Sequence, residues 1–235
     1  MSTTHDRLLA VWRAAAEAGT PMPSEAALVA ELGVSRPTVR EELIRLESSG
    51  LLTRLPNSGT FPNRSALDMG LRLDQSYEFS EMLREAGYEP SMEVLDSSWV
   101  NLDAFRADRL GVRPGTSAFT TTKRWAANGM PTMVATDFIP APRPSDEGES
   151  PDPALPVFEL VRLLRGSTIE WELTWIDAKV ADETERAQLS LGPAESVLRI
   201  TMAGISVLGA KLYLAEETHR QGVVPYGMIR TVPRT

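Results

Sequence analysis

Ser35-Arg36-Pro37-Thr38-Val39-Arg40-Glu41-Glu42-Leu43 decides the fold of the first part of this chain. Ser35 is suited to cap a helix, because its hydroxyl can accept from backbone N–H groups that lack an intrahelical partner. Pro37 then falls in the first turn, where its missing N–H costs nothing and its fixed φ suits the helix. Val39, Leu43 and Leu46 recur at helical spacing as a core stripe, with Arg36 and Arg40 one turn apart beside it. A helix that offers its first turn and two arginines outward could dock on a polyanion, and Arg can bond in bidentate fashion to a guanine edge in the major groove. Taken alone, the stretch fits a solvated amphipathic helix equally well. Its surroundings decide.

Upstream, spacing predicts a helix over 4–18, carried by Leu8, Leu9, Val11 and Trp12 and stopped by Gly19. Pro21-Met22-Pro23 is an extended connector, and Ser24 caps a second helix with Ala27, Leu28 and Leu32 on its inner face. Only Gly33 and Val34 separate that helix from Ser35, so the two must cross steeply. That is a helix-turn-helix, with 35–48 in the recognition position. Gly50 stops it. Segments 51–55 and 59–61 then predict two short strands around Pro56-Asn57-Ser58-Gly59, which adds a wing. The slim glycine-bearing tip could enter a minor groove, and Gly59 also serves simply as the turn's positive-φ residue.

Net charge is −8 over 235 residues, but it is unevenly spread. Residues 1–66 hold seven Arg and seven Asp or Glu, so the deficit falls wholly on the remainder. Within 35–64, five arginines face three glutamates, a local positive excess that an acidic body would leave as the DNA-facing part. No cysteine is present, which excludes disulfides, a thiol nucleophile and Cys-based metal sites; with only His5 and His219, a multi-histidine metal site is excluded too. No apolar run is long enough to span a membrane, and no signal-peptide pattern opens the chain, so a cytoplasmic protein without membrane or cofactor partners is expected.

The residues 22–28, 32–41, 46–52 and 57–61 together resemble the winged helix of the GntR family of bacterial repressors, without a gap over some 40 positions. The resemblance implies DNA contacts from Ser24, Glu25, Ser35, Arg36, Thr38 and Arg40, and a wing tip at Gly59 and Thr60. Ala26 departs from the pattern, since many members carry a DNA-contacting arginine there.

Residues 67–75 read as a linker following Pro62, Asn63 and Ser65. A helix is expected over 76–87, then strands over 92–100, 117–125, 132–139, 168–180, 196–206 and 210–219, with helices over 102–110, 157–164 and 182–191 ended by Gly111, Gly166 and Gly192. Ala127-Asn128-Gly129 and Val207-Leu208-Gly209 signal hairpins. Such a domain is α+β: a mostly antiparallel sheet with helices on one side. The proline-rich, acidic tract 140–156 reads as a loop. Arg109-Leu110-Gly111-Val112-Arg113-Pro114-Gly115-Thr116, the hairpin 123–133, Val157-Phe158-Glu159-Leu160 and Leu189-Ser190-Leu191-Gly192-Pro193-Ala194 resemble the ligand-sensing UTRA domain of the HutC-type GntR branch, which has a chorismate-lyase-like fold. The expected architecture is therefore a winged helix-turn-helix over 1–66 and an effector-binding and dimerisation domain over 76–235.

In phosphosugar-sensing members of that branch, two arginines on the strand before the hairpin and a Ser and Tyr opening the next helix hold the phosphate. Here the arginine positions fall at Lys123 and Trp125, with Arg124 between them on the other face, and the helix positions fall near Pro156 and Phe158. A sugar phosphate would lose most of its donors. A flatter, more apolar carboxylate with Lys123 as counter-charge is expected instead; alternatively, Trp125 and Phe158 are simply core. Arg124 stays a candidate should the register differ. Tyr213, Glu217 and His219 alternate along 210–219 and either line the pocket or form a solvated face, and Tyr226 is a further candidate.

A repressor follows that binds a palindromic double-stranded DNA operator as a homodimer and is released by a small-molecule effector. The alternatives are a structural or protein-interaction DNA-binding protein without a ligand, and an enzyme domain fused to a DNA-binding module, although no nucleophile motif, metal set or phosphate loop is present.

Overall fold

Three helices open the chain: α1 (Thr4–Ala18), α2 (Glu25–Leu32) and α3 (Arg36–Ser48). The structure, a computed structural model, describes residues 3–56, 58–74, 78–144, 150–230 and 232. Each helix begins where a side chain takes up an unpaired backbone N–H. Thr3 accepts from Asp6, Ser24 from Ala27 and Ser35 from Thr38. Gly19 and Gly33 end the first two helices in the left-handed region, at φ +66°. The buried stripes Leu8/Trp12, Leu28/Leu32 and Val39/Leu43/Leu46 meet in one core. Within it, Trp12 Nε1 donates to the Leu51 carbonyl at 2.6 Å.

β1 (Leu52–Leu55) and β2 (Gly59–Pro62) form the expected antiparallel hairpin. Asn57, expected in the turn, lies outside the described residues. Met22 N donates to Thr60 O at 2.9 Å, tying the Pro21–Pro23 connector to the wing.

Two expectations change here. The segment read as a linker is folded: a 3-10 turn (Arg64–Asp68) packs Ala66 and Leu67 on the helical core, and Leu71 is buried. The chain end also returns. β3 (Leu71–Arg72) pairs in parallel with β10 (Tyr226–Gly227), and Ile229 packs on the helical core. A Cβ at Gly50 would lie 2.4 Å from Ile229 Cγ2, so that approach requires glycine. The chain accordingly divides into one unit of 1–75 with 226–235 and a second of 76–225.

The second unit is a six-stranded antiparallel sheet in the order β4 (Pro90–Asn101), β5 (Ser117–Ala127), β6 (Met130–Pro140), β9 (Lys211–Arg220), β8 (Ser196–Ile205), β7 (Trp171–Val180). Asn128 and Gly129, at φ +50° and +79°, make the tight turn between β5 and β6. The helices are α4 (Phe79–Glu85), α5 (Ala104–Leu110), α6 (Val157–Arg165) and α7 (Glu183–Leu189). Residues 76 and 77, expected to start α4, and 145–149 of the proline tract lie outside the described residues. α7 ends at Ser190, which itself takes the left-handed φ of +54°, and not at Gly192.

Helices cover both faces of the sheet, contrary to the one-sided arrangement expected. Alternation along the strands explains this. Ala118, Phe138, Ala203 and Leu214 pack under α5, and Val134 and Val197 under α7. The opposite face carries Phe119, Ile139, Tyr213 and Ala215 against Leu160 and Val161 of α6. Both faces carry buried apolar residues, so a sequence pattern does not say which side a helix takes.

Candidate functional site

The winged-helix unit presents its candidate DNA contacts from short, well-capped elements. Ser35 Oγ accepts from Thr38 N and lies 2.8 Å from Thr38 Oγ1, so both hydroxyls sit at the first turn of α3. Arg36 is exposed there. Arg40, one turn on, donates from Nε to Glu25 Oε1 at 3.3 Å. That pair ties the first turn of α2, capped by Ser24, to the helix bearing the arginines. Gly59 is exposed at φ +110°, a value that excludes most side chains, and Thr60 follows it half-buried. Hydroxyls at a helix start, exposed guanidinium groups and a slim hairpin are features a phosphate backbone and base edges can use.

The second unit holds a buried polar cluster on the face covered by α4 and α6. Strand register brings its members together. Thr121 pairs with Asp137 and Lys123 with Ala135, while Ala135 pairs with Glu217 and Met133 with His219. Lys123, Asp137, Tyr213 and His219 are each 5% exposed or less. Lys123 Nζ donates to the Leu155 carbonyl, just before α6. Tyr213 Oη donates to Glu172, and His219 Nε2 lies 2.8 Å from Glu217 Oε2. Trp125 Nε1 donates to Ser80 Oγ at 3.1 Å, and Phe79 meets both Trp125 and His219 edge-on at 5.9 Å. α4 thus seals this end of the cluster.

Burial sets the electrostatics. Desolvation pushes the Asp137 carboxyl up to about 7, against the opposing pull of Lys123, with Glu217 and Glu172 adding to the rise. Desolvation lowers Lys123, partly offset by Asp137, Glu78 and Asp152. The Tyr213 hydroxyl is raised well above its ordinary value by burial and then by Glu172.

Of the residues expected to bind an effector, Lys123, Trp125, Tyr213, Glu217 and His219 share this face. Phe158 stands half-buried in the first turn of α6, without a ring contact to Trp125 among the described residues. Arg124 points to the opposite face, donating to the Gln188 carbonyl and to Glu93, because neighbouring strand residues alternate sides. Tyr226 belongs to the other unit, through its pairing with Leu71. Lys123, expected as counter-charge to a carboxylate ligand, donates its ammonium to the Leu155 carbonyl and lies within electrostatic reach of Asp137, Glu78 and Asp152. Asp137, Glu172, Thr121, Glu78 and Ser80 were missed. A lone acid in the apolar strand 132–139 was the one available signal.

Among the described residues no helix is long and apolar enough to cross a membrane, and no group of three or more His, Cys, Asp or Glu could hold a metal ion.

Residues 9–61 match the family described as bacterial regulatory proteins, gntR family, and residues 85–221 match the UTRA domain. Relatives include the HTH-type transcriptional repressor NagR of Bacillus subtilis (strain 168), 31% identical over 120 residues, which are 51% of this chain and 49% of that protein. The histidine utilization repressor of Pseudomonas putida is 30% identical over 124 residues, 51% of this chain and 48% of that one. The chain thus spans about half the length of the curated relatives it matches. Among solved structures, the possible transcriptional regulator YydK from Bacillus subtilis subsp. subtilis str. 168 superposes with a TM-score of 0.72 at 14% identity, covering 98% of this chain and 100% of that one. PhnF from Mycobacterium smegmatis gives 0.61 at 18% identity with the same coverage. At such identities the likeness shows the fold alone.

Proposed function

The chain belongs to the UTRA family and carries a GntR-family domain at its N-terminal end, and from that premise we propose that it is a transcriptional repressor, not an enzyme, which binds a palindromic operator as a homodimer and releases it on binding a small molecule. The observation that carries the DNA-binding reading is the first turn of α3: Ser35, Arg36, Thr38 and Arg40 stand at one helix start, beside a hairpin tipped by Gly59. One winged helix reads a half-site, so a two-fold protein matches a two-fold site.

The edge strand β7 is our candidate for the contact between copies. Among the described residues its outer hydrogen-bonding edge has no strand partner, and Trp171, Leu173, Ile176 and Val180 are all more than two-fifths exposed. Such an edge pairs readily with a copy of itself. The buried cluster around Lys123 and Asp137 is the candidate effector site, which sugar phosphates do not suit because no arginine is present among its members.

Selection from a random double-stranded DNA library by the full chain tests the reading. Enrichment of a sequence with two inverted half-sites is expected, and release of that DNA by a small metabolite should follow. Failure to enrich any sequence would refute it.

A further inference from the structure

The polar cluster on the α4/α6 face is unevenly charged. From β6 comes Asp137, from β9 Glu217, from β7 Glu172 and from the start of α4 Glu78, while Asp152 approaches ahead of α6. Among the described residues, the cation named as acting on Asp137 against these five carboxyl groups is Lys123. Lys123 and Asp137 make no direct ion pair, because the ammonium is turned to the Leu155 carbonyl. The remaining partners are neutral donors: Tyr213 on Glu172, and Ser80 on Glu78. His219 Nε2 lies 2.8 Å from Glu217 Oε2.

Asp137 is the least satisfied member. It is 5% exposed, yet its one hydrogen bond among the described residues is a long 3.4 Å contact from Thr121 Oγ1. A buried carboxylate can accept at about four positions, and leaving them empty disfavours the charged form. On the same face Trp99 packs against Phe119, and its Nε1 is a buried donor without a partner among the described residues. A core built only for packing would have no use for so many acids around a single lysine.

We propose that the effector is a small organic cation, an amine or ammonium compound, whose positive group sits on Asp137 between Glu217 and Glu172. This rests on the reading of the cluster as the effector site. The cation supplies the charge that the cluster lacks and fills the acceptor positions of Asp137. Phe119 and Trp99, two strand positions from Asp137, supply flat apolar surface that suits an aromatic or aliphatic body. Binding draws Asp137 into its charged form, so a proton leaves as the cation enters. Affinity therefore rises with pH below neutrality, by up to about tenfold per unit.

Thermal-shift and calorimetric titration of the full chain test this with benzylamine, n-butylamine and choline against benzoate, butyrate and glucose 6-phosphate. The cations should raise the melting temperature and the anions should not. Calorimetry in buffers of different ionisation enthalpy should detect proton release. Asp137→Asn should weaken the cation at least tenfold while folding normally, since it keeps the shape of the neutral acid. Glu217→Gln gives a second reading, with a smaller loss. Stabilisation by the anions and not by the cations would overturn the charge assignment and leave the effector-site reading standing. Stabilisation by neither class would overturn both. Cation binding undiminished in both variants would overturn the placement on Asp137.

Discussion

Arg40 and Glu25 hold each other across the turn between α2 and α3, Nε to Oε1 at 3.3 Å, with the Arg40 side chain still 64% exposed. An exposed pair of this kind contributes at most about 1 kcal/mol, so a guanine edge or a phosphate can take the guanidinium over. Arg40→Ala should leave the melting temperature nearly unchanged and weaken operator binding by about 1–3 kcal/mol, with relaxed preference at one base position. Arg36→Ala should do the same at another position. Binding measured across a set of single-base operator variants checks both. Uniform weakening would make them phosphate contacts, and no effect from either would remove α3 from the recognition role.

Asp137 links stability to pH in the direction opposite to most carboxylates. Its folded value of about 7 lies above the usual 3.8, so between about pH 4 and 7 the folded chain holds a proton that the unfolded chain has lost. Stability from this group is therefore complete below about pH 4 and falls as pH rises through 7, by a few kcal/mol. Asp137→Asn keeps the neutral shape at every pH. The variant should lose the decline between pH 5 and 7 and be at least as stable as the parent at pH 8, as read by thermal melts across that range. A parallel decline in both proteins would exclude Asp137 as its source.

Gly50 and Ile229 define how the chain end serves the winged helix. Gly50→Ala places a Cβ 2.4 Å from Ile229 Cγ2 at a φ of +72°. Strain and overpacking together should cost about 1–3 kcal/mol. A fragment of residues 1–75 also loses Ile229 and the strand pairing of Leu71 with Tyr226. It should melt below a version in which 226–235 is rejoined through a short glycine–serine linker. Equal melting temperatures would mean that the tail contributes nothing to the module.

Leu173 and Trp171 lie exposed on the edge strand β7. Leu173→Arg should turn a dimer into a monomer by sedimentation, because a desolvated charge would face its own copy across the two-fold axis. Operator affinity should fall with it, while the monomer keeps its circular dichroism. A variant that remains dimeric would place the contact elsewhere.

Much of this was legible in local chemistry. Ser24, Ser35, Gly19 and Gly33 announce helix ends because capping is decided within four residues. Asn128-Gly129 announces its hairpin for the same reason, and strand alternation alone separates Lys123 from Arg124. What stayed hidden is non-local. Nothing near Tyr226 says that it pairs with Leu71, over 150 positions away. Nor does the stretch around Asp137 reveal that Glu217 and Glu172 arrive from two other strands. The charge balance of the candidate site is a property of the sheet register, which the residues around Lys123 alone do not carry.

The pairing of Leu71–Arg72 with Tyr226–Gly227 makes the six-stranded unit an insertion within the winged-helix one, not an appendage behind it. The polypeptide leaves the winged helix, builds a whole second fold and comes home to complete the first. Two covalent routes therefore join the units, one ahead of α4 and one beyond Pro225. Exchanging one sensor for another in such a chain demands two splice points, and a graft cut only at the first would carry the DNA-binding unit's last strand away with the discarded piece.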